Sequence, residues 1–92
     1  MTRAIWRVLL VDDHSVVRAG IKHLLETDAS LRVVGEAATA ADAVTQAATL
    51  RPQLVILDIS MPGATGLAVV GRLREVTGGA HVIVLSMHSD AE

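Results

Sequence analysis

The chain has no cysteine, no phenylalanine and no tyrosine, and Trp6 is its only tryptophan. Without cysteine, disulfides and thiolate metal sites are excluded, and the composition suits a reducing compartment. Without large rings, a core must be assembled from Val, Leu, Ile and Ala; hydrophobic residues make up 51% of the 92 positions. A chain of this length forms one domain and buries about 60–65% of the surface that its unfolded form exposes. Charge of one sign is also lacking: the net value is −2. That leaves no basic footprint for nucleic acid or for an anionic membrane. Long apolar runs are missing as well. The run that follows Arg3 and Arg7, Val8 to Val11, is too short for a signal-peptide core or a membrane span. The expectation is a cytoplasmic domain that binds neither membrane nor nucleic acid.

What the chain does have is three short runs rich in Val, Ile and Leu: Val8–Val11, Leu54–Leu57 and Val82–Leu85. None alternates with polar residues, which is the pattern of strands buried on both faces, as in parallel sheets. A weaker strand is expected over Leu31–Ala37, at a sheet edge because it carries Arg32 and Glu36. Helical spacing fills the gaps. Val17, Ile21, Leu24 and Leu25 form one apolar stripe, and Ala40, Ala43, Val44, Ala47 and Ala48 form another. Thr39 and Asp42 have capping-box spacing, and Arg51-Pro52 ends the second helix. A third helix is expected over Thr65–Val76, stopped by Gly78-Gly79. The order β-α-β-α-β-α-β with short loops specifies an α/β fold, an open parallel sheet with right-handed crossovers.

In such sheets the site lies outside the carboxyl ends of the strands. Here the buried runs end in Asp12-Asp13, in Asp58 and in Ser86. Three carboxylates at one rim repel each other and favour a hard divalent cation with oxygen ligands, such as Mg²⁺. With no histidine or cysteine assigned to the cluster, zinc is a poor match. An aspartate beside such a cation can act as a nucleophile on phosphorus, the metal offsetting charge on the transferring group. The Ser86 hydroxyl could then donate a hydrogen bond to the product.

The segments "VLLVDDH", "VVGEAATAADAV", "LVILDISMPGATG" and "VIVLSMH" together resemble the receiver domain of two-component response regulators, in the NarL/FixJ-type branch. The resemblance implies a flavodoxin-like sheet with strand order 2-1-3-4. It implies that Asp58 is the phosphoacceptor and that Asp12 and Asp13 hold Mg²⁺, with Asp13 the more direct ligand. It further implies Ser60 as a backbone-carbonyl metal ligand, Ser86 as the switch hydroxyl, and Pro62, Gly63 and Gly66 as the loop after the acceptor strand. The phosphodonor would be a sensor histidine kinase, and the protein would assist its own phosphorylation without being a turnover enzyme. The family's lysine after a fifth strand, and an aromatic residue on that strand, would fall beyond Glu92. Lys22, on the first helix, cannot replace that lysine. The expectation over residues 1–92 is therefore a receiver with its fifth strand and last helices missing and no effector domain. The Val82–Leu85 edge would then be exposed and would drive self-association.

Plainer readings stand beside these. Asp12-Asp13 could cap the first helix, Asp58 could solubilise a strand end, and Ser86 could form a turn. His14, His81 and His88 read as solvated loop residues, His23 as surface, and Trp6 as packing at a strand entrance. Met61 and Met87 read as packing. Two other functions compete: a degenerate receiver serving as an interaction module, and an aspartate-nucleophile phosphatase. The phosphatase would need an acid two residues after the nucleophile, where this chain has Ser60.

Overall fold

The computed structural model describes residues 4–61 and 67–85. Its elements are β1 (Trp6–Val11), α1 (Ser15–Glu26), β2 (Leu31–Ala37), α2 (Ala40–Leu50), β3 (Leu54–Asp58), α3 (Leu67–Thr77) and β4 (His81–Leu85). All strand pairs are parallel, and the sheet order is β2-β1-β3-β4. This is the expected 2-1-3-4 order, with β2 at one edge.

Alternation along the strands divides the core into two layers. Leu9, Val11, Val55 and Leu57 face Ala43 and Ala47 of α2 and Val69 and Leu73 of α3. Val8, Leu10 and Ile56 face the other way, where Ile21 and Leu25 of α1 pack. Leu9, Leu10 and Leu57 are fully buried. At about 25 cal/mol per Å² of apolar surface removed from water, each such leucine contributes about 2 kcal/mol.

Local signals set the helix ends. Thr39 Oγ1 accepts the Asp42 amide at 3.0 Å, the forward arm of the expected capping box. Asp42 spends Oδ2 on Gln46 Nε2 at 3.0 Å. Helix α2 ends with Arg51 in the left-handed region, φ 48°. Its last carbonyls are held by Arg7, whose guanidinium donates to Leu50 O (2.7 Å) and Arg51 O (3.1 Å). This fastens the α2 C-terminus to the start of β1. Helix α3 ends where Gly78 and Gly79 adopt φ 76° and 107° and the Gly79 amide returns to Arg74 O at 2.8 Å. That stop was expected. The helix runs one residue further than expected, to Thr77; the expected start at Thr65 lies outside the described residues.

Three expectations need correction. Leu24 does not join the α1 stripe: it is 69% exposed, and no α1 residue is fully buried. The contacting face is turned toward Arg18, Ile21 and Leu25. At about 100° per residue, this leaves Leu24 roughly a quarter turn away. Ala48 is exposed for a similar reason, since α2 packs through Ala43 and Ala47. The Val82–Leu85 run is not buried on both faces: Ile83 is 48% and Val84 44% exposed. β4 is the last strand in the order and pairs only with β3 among the described residues. No described helix is long and apolar enough to cross a membrane.

Gly35 on β2 shows how tightly α2 seats. A Cβ there would meet Gln46 Oε1 and Leu50 Cδ1, both at 2.6 Å. Gln46 cannot simply swing aside, because its Nε2 donates to Glu36 O at 2.6 Å. Gly35→Ala is therefore expected to lower stability by about 1–3 kcal/mol, read as a lower urea midpoint. An unchanged midpoint would show that this contact is slack.

Candidate functional site

β1 and β3 are adjacent and parallel, with Val11 opposite Leu57. The residues that follow those two, Asp12 and Asp58, therefore reach the same rim. Backbone bonds prolong the ladder past each strand: Asp12 N–H donates to Ala37 O and Ile59 N–H to Leu85 O, both at 3.0 Å. The sheet, not a mobile loop, fixes the two carboxylates.

Both aspartates are 1% exposed, and both repeat one local device. Asp12 Oδ1 accepts the His14 amide at 2.8 Å, and Asp58 Oδ1 accepts the Ser60 amide at 2.8 Å. These are turns in which an aspartate bonds its own backbone two residues on. Ser60 adds its hydroxyl to Asp58 Oδ1 at 2.6 Å. Each residue thereby spends Oδ1 and keeps Oδ2, which is buried and has no hydrogen-bond partner in either residue. Asp13 lies in the same cluster with a more open side chain.

His14 completes the cluster: it is exposed, as expected, but it is not isolated. Its ring is open to solvent on one side. On the other, Nδ1 lies 3.0 Å from Asp12 Oδ1, 2.9 Å from Asp13 Oδ1 and 3.9 Å from Asp58 Oδ2. His14 is also the residue that caps α1, with no side-chain capping bond, so Asp12 and Asp13 do not cap that helix. Behind the site, Arg18 donates through Nη1 to the Asp12 carbonyl and through Nε to Glu36 Oε1 at 3.0 Å. Lys22 Nζ is 3.6 Å from Glu36.

Titration follows this geometry. The hydrogen bond to Asp12, then the charge of Asp13, raises the His14 imidazole above its ordinary value. Burial pushes Asp58 up, but the hydroxyl and amide of Ser60, with the nearby His14, hold it below the usual carboxylate range. For His14 the folded value exceeds the unfolded one. Its stabilising contribution is therefore complete below about pH 6.5 and is lost as pH rises through the higher folded value. In metal-free buffer the His14 ring protons should titrate with a midpoint above 6.5. A midpoint at or below that would contradict the contact with Asp12.

Two buried, unpartnered carboxylate oxygens beside a third acid are costly unless a cation joins them. The donor set is rich in hard oxygen and suits Mg²⁺. Asp12, Asp13, His14 and Asp58 each offer one ligand atom, all within 4.8 Å of one another. Ser86, Pro62, Gly63, Gly66, Met87 and His88 lie outside the described residues. Met61 is buried in the α2/α3 layer, as packing requires. His23 is exposed, as expected. A separate cleft of about 290 Å³, lined by Trp6, Arg51, Gln53 and His81 among others, opens at the opposite end of the sheet. Trp6 and His81 rings meet there at 5.7 Å. No buried carboxylate lines that cleft, so the chemistry belongs to the acidic rim.

Sequence reasoning found the three aspartates because each ends or follows an apolar strand run. It missed His14, Arg18 and the hydroxyl of Ser60. The signal for His14 was its place two residues after Asp12, the spacing that lets its amide bond the carboxylate.

Comparison with known proteins agrees with this geometry. Residues 8–92 match the response regulator receiver domain model. The chain is 42% identical over 83 residues to the response regulator UvrY of Escherichia coli, covering 90% of this chain and 38% of UvrY. It is 36% identical over 85 residues to the nitrate/nitrite response regulator protein NarL of Escherichia coli, covering 92% of this chain and 39% of NarL. It thus spans about two fifths of these curated relatives. The receiver domain of the putative response regulator NarL from Mycobacterium tuberculosis superposes with a TM-score of 0.83 at 32% identity, over 96% of this chain and 71% of that one. The two Asp-terminated strands, the 2-1-3-4 sheet and these matches have one meaning: the chain belongs to the receiver-domain family of response regulators, among relatives of the NarL and UvrY type.

Proposed function

We propose that this chain is a phosphorylation-controlled receiver in which Asp58 accepts a phosphoryl group from a sensor histidine kinase and thereby switches a transcriptional effector. The observation that carries this reading is the pair of oxygens on Asp58. Oδ1 is engaged twice by Ser60, while Oδ2 is buried without a hydrogen-bond partner. Ser60 fixes the carboxylate and leaves Oδ2 as the oxygen without a hydrogen bond, facing the cluster. A carboxylate oxygen of Asp58 bonds to phosphorus, and the donor leaves with the electrons of the broken P–O or P–N bond. Asp12, Asp13 and Asp58, with the Ser60 carbonyl, would hold Mg²⁺. When bound, it offsets charge on the transferring phosphoryl oxygens. Arg18 holds the Asp12 carbonyl and so positions that acid. The Ser86 hydroxyl would donate to the product. The chain assists its own phosphorylation and its reversal rather than turning over a substrate. We place it in the cytoplasm, with no membrane or nucleic acid bound by this segment. We further assign self-association to the Val82–Leu85 edge.

The test is incubation with Mg²⁺ and a small acyl phosphate, followed by intact-mass measurement. The expected product carries one phosphoryl group, is removed by hydroxylamine and does not form when Mg²⁺ is chelated. An unmodified mass under all conditions would leave the chain an interaction module. Continuous phosphate release without a modified species would make it a phosphatase.

A further inference from the structure

We infer that His14 Nδ1 is a fourth protein ligand of the acidic cluster, so that the site binds a divalent first-row transition ion more tightly than Mg²⁺. This rests on the proposal that the cluster is a cation site, and it adds a nitrogen to a set otherwise made of oxygen.

Distances support it. Around an octahedral ion with bonds of about 2.1 Å, neighbouring ligand atoms stand about 3.0 Å apart and opposite ones about 4.2 Å apart. Nδ1 lies 2.9 Å from Asp13 Oδ1, a neighbour separation, and 3.9 Å from Asp58 Oδ2, close to an opposite one; its 3.0 Å contact with Asp12 is to Oδ1, which leaves Asp12 Oδ2 open to the ion. The ring is held there by its own backbone, since the His14 amide donates to Asp12 Oδ1 at 2.8 Å. The buried Oδ2 atoms of Asp12 and Asp58 have no hydrogen-bond partner, which favours a cation beside them.

The chemical consequence follows from ligand softness. Carboxylate, carbonyl and water suit Mg²⁺, whereas imidazole suits the transition ions, whose affinities also rise from Mn²⁺ toward Cu²⁺. Mg²⁺ gains little from a nitrogen ligand. An intact imidazole therefore raises the affinity for Co²⁺ relative to Mg²⁺, and which ion fills the site in a cell depends on supply.

The same distances would suit an imidazolium ion bonded to two carboxylates, and a metal titration separates the two arrangements. Co²⁺ and Mg²⁺ affinities are measured by calorimetry on the whole chain, on His14→Ala and on Asp12→Asn. His14 has an open side chain and no capping bond, so His14→Ala should fold; a thermal melt checks this. The ratio of Co²⁺ to Mg²⁺ affinity should fall at least about tenfold in His14→Ala, the scale on which even an outer-shell partner matters. Mg²⁺ affinity itself should hold or rise. The wild-type Co²⁺ complex should also show hyperfine-shifted imidazole proton signals that His14→Ala lacks. If both ions bind, Asp12→Asn weakens both, and the ratio is unchanged in His14→Ala, then His14 is no ligand while the cation site stands. If neither ion binds the wild-type chain, the cation site and this inference fall together.

Discussion

Asp58→Asn is expected to reduce phosphoryl uptake from acyl phosphate to background while leaving the fold intact. The side-chain amide is not a nucleophile, and one charged metal ligand disappears with the carboxylate. Packing should survive because asparagine has nearly the same shape. Its Oδ1 can still accept the amide and hydroxyl of Ser60, which reach Asp58 Oδ1 at 2.8 and 2.6 Å. Without metal, stability at neutral pH should stay within roughly 1 kcal/mol of wild type. The extra stability conferred by Mg²⁺ should shrink, since a ligand stabilises only as far as it binds the folded state. The acid limb should change too. Because Asp58 is held below its ordinary value of 3.8, its contribution is present above that pH. The contribution is lost as pH falls through the lower folded value, and the asparagine variant has none to lose. Wild-type phosphoryl uptake by Asp58→Asn would move the acceptor elsewhere.

The second large effect is association. Strand β4 pairs with β3 on one side, and no described residue pairs with its other side. Ile83 and Val84 are 48% and 44% exposed on opposite faces of that strand. A β-branched edge with no proline, lysine or bulge inside it is a template for another chain. Exposed apolar surface of this kind adds to the drive. The chain is therefore expected to sediment as a dimer or larger species at micromolar concentration. Val84→Lys, which places a charge on the edge, should shift it toward monomer. A wild-type monomer with a Val84 amide protected from exchange would rule out the pairing.

How much of this could be read in advance depended on the physical scale of each feature. The runs Val8–Val11 and Leu54–Leu57 revealed the interior strands because burial on both faces leaves no room for polar residues. From those strands the meeting of Asp12 and Asp58 followed, since parallel neighbours end at one rim. The Thr39 cap was visible because capping depends on residues three apart. Leu24 was misplaced because spacing gives a stripe but not the rotation of the helix on the sheet. Two other features needed side-chain reach across elements, which no local pattern encodes: Arg18 of α1 to the Asp12 carbonyl, and the His14 ring to Asp58 of β3. The 2-1-3-4 order came from family resemblance, because alternation of strands and helices is compatible with several orders.

The position of Trp6 has a practical consequence for optical work on this domain. The lone indole opens β1, whereas the acidic cluster begins where that strand ends. Six residues of strand at about 3.3 Å each place them roughly 17–20 Å apart. Short-range quenching does not act over that span. Intrinsic fluorescence should therefore report events around the His81 ring, 5.7 Å away, and stay silent as the far rim gains an ion or a phosphoryl group. A flat emission trace during such a titration is thus the signal of a bystander, and occupancy has to be followed by nuclei or heat instead of light.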